Sequence, residues 1–145
     1  MGHFFVDCQI THIRNPKKTL KVPHLLVDTG SEYTWIAEET LKQIGVSVQK
    51  KDAPFLMANG QTITRAIGYA ILQAVGFETV DEVVFGEPGD LQLLGSRTMG
   101  GFGAMVDARK KRLVASGPIP AAGMLNSAHY SSLGTMLNRR GVERK

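Results

Sequence analysis

The sequence predicts a single domain that is built mainly of β-strands, with one or two short helices. Two observations indicate this fold class: the apolar or alternating stretches are short, and residues that favour turns separate them. A length of 145 residues is typical of one domain, and no internal repeat is visible. We therefore expect one domain over residues 1–120.

The first two predicted strands lead to an acidic turn. Residues 4–13 alternate between apolar and polar side chains, and Asn15-Pro16 ends this half-buried strand. Pro23 opens the second strand, which ends in the buried run 25–27. The apolar face of the first strand consists of Phe4, Val6, Cys8 and Ile10.

One short helix is predicted over residues 37–44. Leu41 and Ile44 in this segment have the spacing of one helical face. A strand is then expected to begin at residues 46–48, and the polar, proline-containing segment 50–54 is predicted to form a turn.

A long hairpin is predicted over residues 55–71, with its turn at Asn59-Gly60. Asn-Gly is a strong hairpin signal, because both residues accept the positive φ of a two-residue type I′ turn. Further strands are predicted at 72–75, 80–85 and 91–94, with a turn at 87–90. The basic residues 109–112 are predicted to form a solvated turn between the apolar segments 104–106 and 113–114.

Composition excludes several classes of protein. No apolar run is long enough to cross a bilayer, and the N-terminus lacks the pattern of an export signal. Cys8 is the only cysteine, so an internal disulfide is excluded, and we expect it to be a small core side chain. The histidines and Cys8 do not have metal-ligand spacing. A cytoplasmic protein without a metal or other cofactor is expected.

The formal charge of +4 is concentrated near the C-terminus. Residues 121–145 carry four basic side chains and one acidic side chain, a net +3, which leaves +1 for residues 1–120. A nearly neutral body argues against nucleic-acid binding. Ala, Ser, Gly and Asn dominate residues 121–145, which predicts a flexible tail. A weakly amphipathic helix in this tail is the alternative.

Asp28 stands at the end of the second predicted strand and is the central candidate residue. The segment Asp28-Thr29-Gly30-Ser31 breaks the apolar run with turn formers. A carboxylate at the mouth of a buried strand needs partners, and the glycine and hydroxyls beside it suit that need. We expect Tyr33 and Trp35, which follow, to pack in the core.

These residues resemble the active-site strand and loop of the retropepsin-like aspartic proteases. That family has apolar residues, then Asp-Thr-Gly-Ser or Asp-Thr-Gly-Ala, then another apolar pair, and residues 25–36 match this order. A glycine-bearing flap hairpin and an apolar-apolar-Gly segment follow in the family, and segments 57–62 and 93–96 stand in those places. The resemblance covers about residues 4–115 and is to single-domain members of the bacterial type. It implies a closed β-barrel of the acid-protease fold.

The resemblance implies an aspartic endopeptidase that acts as a homodimer. Such enzymes use two carboxylates that share one proton, whereas this chain has one Asp-Thr-Gly, so Asp28 is expected to meet its copy on a two-fold axis. The family roles imply that Thr29 braces the two loops, Gly30 directs its N–H at the carboxylates and Ser31 hydrogen-bonds the outer oxygen of Asp28. We expect the strand that pairs the two chains at residues 112–115.

The resemblance also assigns a flap that covers the substrate and a second motif, the apolar-apolar-Gly segment. In the family the flap closes over an extended peptide and excludes water. Its counterparts here are Ala58, Asn59, Gly60 and Gln61 for the flap, and Leu93, Leu94 and Gly95 for the second segment. The chain departs from the viral members in two ways. The flap has one glycine, and Ser96-Arg97-Thr98 replaces the usual Arg and acid, so the internal Arg contact is expected to be shifted or lost.

Two other functions stay open at this point. The same fold can carry a non-catalytic dimerisation or peptide-binding module, although an intact Asp-Thr-Gly favours the enzyme. A phosphoryl-transfer enzyme with Asp28 as nucleophile would need a second acid and Mg²⁺, and Gly30 stands two positions later. The expected partners are a polypeptide substrate and a second copy of the chain, with neither nucleic acid nor membrane.

Overall fold

The computed structural model describes residues 3–122 and contains nine strands and two short helices within them. The elements are β1 Phe5–Thr11, β2 Thr19–Val27, β3 Thr34–Ala37, α1 Glu38–Gln43, β4 Lys50–Leu56, β5 Thr62–Ala74, β6 Phe77–Gly86, β7 Leu93–Leu94, α2 Ser96–Phe102, β8 Ala104–Asp107 and β9 Arg112–Ala115. The predicted mainly β class is confirmed. Apart from residues 121 and 122, the segment predicted to be a tail lies outside the described residues.

Seven strands form one mixed sheet in the order β1-β2-β7-β3-β6-β5-β4. β1 also pairs with β5, so six of these strands form a closed circuit and β4 extends it at one edge. β2 pairs with β7 and β3 pairs with β6 in parallel, whereas the other pairings in this sheet are antiparallel. The strands β8 and β9 form a separate two-stranded sheet. The short β7 therefore lies between the strands on either side of the Asp28 turn.

The segment 50–54, predicted as a turn, is part of strand β4, so that prediction was wrong. β4 is an edge strand, and such a strand tolerates Pro54 and exposed charges that would be unfavourable in the interior of a sheet. The strand predicted to begin at 46–48 is also absent from the described structure. Instead, the N–H of Val46 bonds to the carbonyl of Leu41 at 2.9 Å and closes the end of α1.

The two-residue type I′ turn occurs at Val75-Gly76 and not in the hairpin where it was predicted. Val75 and Gly76 have φ of +52° and +87°, and Ala74 pairs with Phe77 across them. The predicted strand 72–75 is therefore the end of β5, and Val75 belongs to the turn. The predicted strand 91–94 is reduced to two residues, and the helix that follows it, α2, was not located from the sequence.

The apolar side chains form two clusters. The larger cluster fills the closed circuit of strands and the space under the helices, and it includes Cys8, which is 3% exposed. Burial raises the pKa of the Cys8 thiol to about 11, so this group is a protonated core side chain at neutral pH. The smaller cluster lies around Trp35, which is buried as predicted. No helix among residues 3–122 is both long and apolar enough to cross a membrane.

Candidate active site

Asp28 directly follows β2 and is attached to β7 by its backbone. Its N–H donates to the carbonyl oxygen of Leu94 at 3.0 Å, which continues the parallel register of Val27 opposite Leu94. Both of these apolar residues are buried in the core. The carboxylate therefore projects from a rigid pair of core strands while Asp28 itself stays half-buried. A catalytic group needs such a support, because small displacements lower its effectiveness.

The loop after Asp28 provides one backbone donor to its carboxylate. The N–H of Gly30 donates to Oδ1 of Asp28 at 2.9 Å, as the resemblance implied. A Cβ on residue 30 would lie 3.3 Å from the same oxygen, so glycine allows this close approach. Thr29 and Gly30 are exposed in the single chain, and this tip is free to contact another molecule.

Ser31 makes a different contact from the one expected. Its hydroxyl donates to the carbonyl oxygen of Tyr33 at 3.0 Å and not to the outer oxygen of Asp28. Its own carbonyl accepts from the N–H of Ser96 at 2.8 Å, and the carbonyl of Glu32 accepts from Arg97 at 3.0 Å. These bonds use the first N–H groups of α2, which have no partner within the helix. The helix thereby fixes the loop that carries Asp28.

A buried hydroxyl pair lies beneath this loop and was not identified from the sequence. Thr34 and Thr98 are both fully buried, and their hydroxyl oxygens are 2.6 Å apart. The N–H of Gly95 donates to Thr34 at 2.9 Å, and the hydroxyl of Thr98 donates to Asp81 at 2.9 Å. Each polar atom is satisfied, as buried polar groups require. Their signal in the sequence was weak, because threonine is also common in exposed positions of strands.

Arg97, in the segment that departs from the viral members, forms an ion pair with a distant strand. Arg97 pairs with Glu82 on β6 at 3.0 Å, and its guanidinium lies 4.7 Å from the centre of the Tyr33 ring. Glu82 also accepts from Lys50 at 2.7 Å, and this bond lowers the pKa of Glu82. The cluster links the active-site loop, β6 and the first residue of β4. Sequence reasoning did not identify Glu82 or Lys50, since residues far apart in the chain give no local signal.

The flap segment forms the tip of the β4–β5 hairpin, as predicted, but with a different turn. The loop has three residues, 58–60, between Met57 and Gln61, whose backbones are joined by a bond of 2.8 Å. Gly60 has φ of +86°, and Asn59 is not among the residues with positive φ, so the turn is not type I′. The side chain of Asn59 accepts from the N–H of Gln61 at 2.9 Å, which stabilises the longer loop. Residues 58–61 are all exposed.

The base of the flap packs on the aromatic residues that follow the Asp28 loop. Phe55 of β4 makes an edge-to-face contact with Tyr33, with ring centres 5.5 Å apart, and lies 5.1 Å from the centre of Trp35. Leu93 joins the same apolar cluster. Tyr33 is half-buried, so its ring packs on Phe55 while part of it stays accessible to solvent. The flap, the second apolar-Gly segment and the Asp28 loop are thus brought together in one region.

Two concavities of the described part of the chain lie away from Asp28. One of about 470 Å³ is lined mainly by residues 7–9 and 73–78, and another of about 340 Å³ is lined by residues 37–39, 86–90 and 92. Among the described residues, no three His, Cys, Asp or Glu side chains are grouped as metal ligands.

A scan against protein-family models finds no matching family, and a search of curated proteins finds no match. The function is therefore inferred from the geometry of the site.

Proposed function

We propose that this protein is an aspartic endopeptidase of the retropepsin-like type, active as a homodimer. The observation that carries the proposal is the position of Asp28 on the paired strands β2 and β7, with the N–H of Gly30 on its carboxylate. β2 and β7 pair in parallel with β1 and β3 on either side, and this arrangement supports the proposal of a retropepsin-like fold.

A single chain provides an incomplete site for this chemistry. Peptide hydrolysis by this route needs two carboxylates, one to remove a proton from water and one to donate a proton to the substrate. Asp28 is the one carboxylate in the Asp-Thr-Gly loop of each chain. An isologous dimer would place the two exposed loop tips, Thr29 and Gly30, next to each other on the two-fold axis. It would also enclose a cleft between the chains, with the two Asp28 carboxylates at its floor.

In this dimer the ionised carboxylate of one Asp28 activates a water molecule, which attacks the carbonyl carbon of the peptide bond. The protonated Asp28 of the other chain donates to the carbonyl oxygen, which gives a gem-diol. The first Asp28 then donates the proton that it took from water to the leaving nitrogen, and a diol hydroxyl returns a proton to the other Asp28 as the C–N bond breaks. The N–H of Gly30 holds the reactive carboxylate in place. The flap tip, residues 58–61, covers an extended peptide and excludes water from the site.

The test is hydrolysis of a denatured protein mixture by the purified full-length chain. We expect Asp28→Asn to lower the rate by about 10²–10⁴-fold or more, because Asn keeps the shape but transfers no proton. Glu39→Gln, at an exposed carboxylate of α1, is the matched control and should keep the wild-type rate. A chelator should leave hydrolysis unchanged, which separates this reaction from a metal-dependent one.

Two results would exclude the enzyme assignment. Wild-type turnover in folded Asp28→Asn would show that this carboxylate is not catalytic. Binding of peptide without cleavage by the wild-type protein would instead identify a peptide-binding module on the same fold.

A further inference from the structure

Arg65 and Asp90 form a bidentate ion pair between the flap and the loop that leads to β7. Nε of Arg65 donates to Oδ2 of Asp90 at 2.7 Å, and Nη2 donates to Oδ1 at 3.0 Å. The two side chains are only 15% and 13% exposed. The fork of a guanidinium and the two oxygens of a carboxylate fix an orientation as well as a distance.

Both partners are held by additional bonds. Nη1 of Arg65 donates to the carbonyl of Thr64 at 2.8 Å. Oδ2 of Asp90 also accepts from the N–H of Glu87 at 2.7 Å, and the N–H of Asp90 donates to the Glu87 carbonyl at 2.9 Å. The Arg65 guanidinium lowers the pKa of Asp90, so this carboxylate is ionised at neutral pH. The geometry of the pair is therefore set before any substrate binds.

The ion pair connects two elements of the candidate site. Arg65 lies on β5 opposite Ala53 of β4, within the two-stranded part of the flap hairpin. Asp90 is three positions before Leu93, which pairs with both Leu26 and Trp35. The ion pair thus joins the arm of the flap to the strand that holds Asp28.

We propose that Arg65 and Asp90 are positioning residues that fix the angle of the flap hairpin above Asp28 and thereby set the affinity for peptide substrate. The effect of this ion pair on catalysis rests on the proposed function, whereas its effect on the flap does not. Lys50 and Glu82 form another ion pair at the base of the flap, and its lysine side chain is 52% exposed. Arg65 also lies 3.6 Å from the carboxylate of Glu87, which is 51% exposed. A screened single-point contact of this kind constrains orientation less.

Hydrogen exchange of the full-length protein without substrate tests the effect on the flap. In Arg65→Gln, Asp90→Asn and the double variant, we expect the hydrogen-bonded amides of Met57, Gly60 and Gln61 to exchange about tenfold faster, with residues 5–11 of β1 unchanged. The double variant should match Arg65→Gln, because both lack every bond of the guanidinium. Asp90→Asn should come close to them, because the contact of 3.6 Å that Arg65 keeps with Glu87 is an exposed one. Lys42→Gln, which removes an exposed contact of 3.4 Å with Glu38, is the matched control and should leave the flap unchanged.

Three exchange results would overturn the proposal. The first is an unchanged flap in folded Asp90→Asn, which preserves the shape of the side chain. The second is equally faster exchange over the whole chain, since that indicates a general loss of stability. The third is full protection in Arg65→Lys, because a lysine keeps the charge but not the bidentate geometry.

Peptide kinetics test the consequence for the active site. We expect Asp90→Asn to raise KM about tenfold while kcat changes less than about twofold, because the flap contributes binding and Asp28 is untouched. An unchanged KM in a variant with a loosened flap would overturn the positioning role. If the wild-type protein cleaves no peptide, the proposed function fails, and the exchange experiment still decides whether the pair holds the flap.

Discussion

Gly95 lies against the backbone of Tyr33 so closely that a Cβ on residue 95 would overlap the carbonyl carbon and oxygen of Tyr33. The clash would be with backbone, so a rotamer change could not relieve it. The apolar-apolar-Gly segment is thus explained by packing: glycine allows β7 and the start of α2 to pass directly beneath the Asp28 loop. The hydrogen bond of 2.9 Å from its N–H to Thr34 completes the contact.

We therefore predict that Gly95→Ala destabilises the protein by about 1–3 kcal/mol, as overpacking of a dense interior does. Gly100→Ala is the matched control, because that glycine lies in α2 with no atom within 4 Å of the added Cβ. Replacing a helical glycine by alanine should stabilise by roughly 0.5–1 kcal/mol. Urea unfolding of both variants measures the difference, and equal stabilities would contradict this account of Gly95.

The parts of the site that are continuous in sequence were predicted well. Asp28 lies at the end of a buried strand, the flap tip lies in a hairpin, and Leu93-Leu94-Gly95 lies beside the active-site loop. Each was recognisable because the local pattern of apolar residues and turn formers determines the local structure. The closed circuit of strands and the role of α2 depend on contacts between distant residues. Such contacts leave only a weak pattern in the sequence.

The errors have specific physical causes. The turn predicted at 50–54 was wrong, because exposure at the sheet edge allowed charged residues and Pro54 to continue a strand. The type I′ turn was placed at Asn59-Gly60 by local preference, whereas the pairing of β5 with β6 imposes it on Val75-Gly76. Tertiary pairing overrides the conformational preference of single residues in both cases.

Acid should weaken the protein partly through Asp90. Arg65 lowers the pKa of Asp90 below its ordinary value of 3.8. The ionised Asp90 therefore stabilises the folded protein fully above pH 3.8, and this contribution is lost as pH falls through the lowered pKa. We expect wild-type protein to lose more stability between about pH 5 and pH 2.5 than Asp90→Asn does. The measurement is the free energy of unfolding from urea titrations over this range.

The same loss should be reduced in Arg65→Gln, because that variant removes the group that lowers the pKa of Asp90. Removing both residues should give the same pH dependence as Asp90→Asn alone, because neither variant has a titrating carboxylate at position 90. Arg65→Gln should keep a small part of the dependence, because the N–H of Glu87 still lowers the pKa of Asp90. An Asp90→Asn variant with the wild-type dependence on pH would show that the ion pair contributes nothing to acid stability.

The proposed homodimer predicts how the rate of the proposed hydrolysis depends on protein concentration. Each chain contributes one Asp28, so at low concentration the rate should rise faster than linearly as chains pair, and become linear when the dimer is saturated. Thr29→Ala should move this transition to higher concentration, since Thr29 is exposed at the loop tip and is expected to brace the partner loop. Ser47→Ala, at an exposed hydroxyl outside this loop, is the matched control. Sedimentation velocity measured beside the assay links the rate to the fraction of dimer, and a strictly linear rate from a monomer would refute the homodimer.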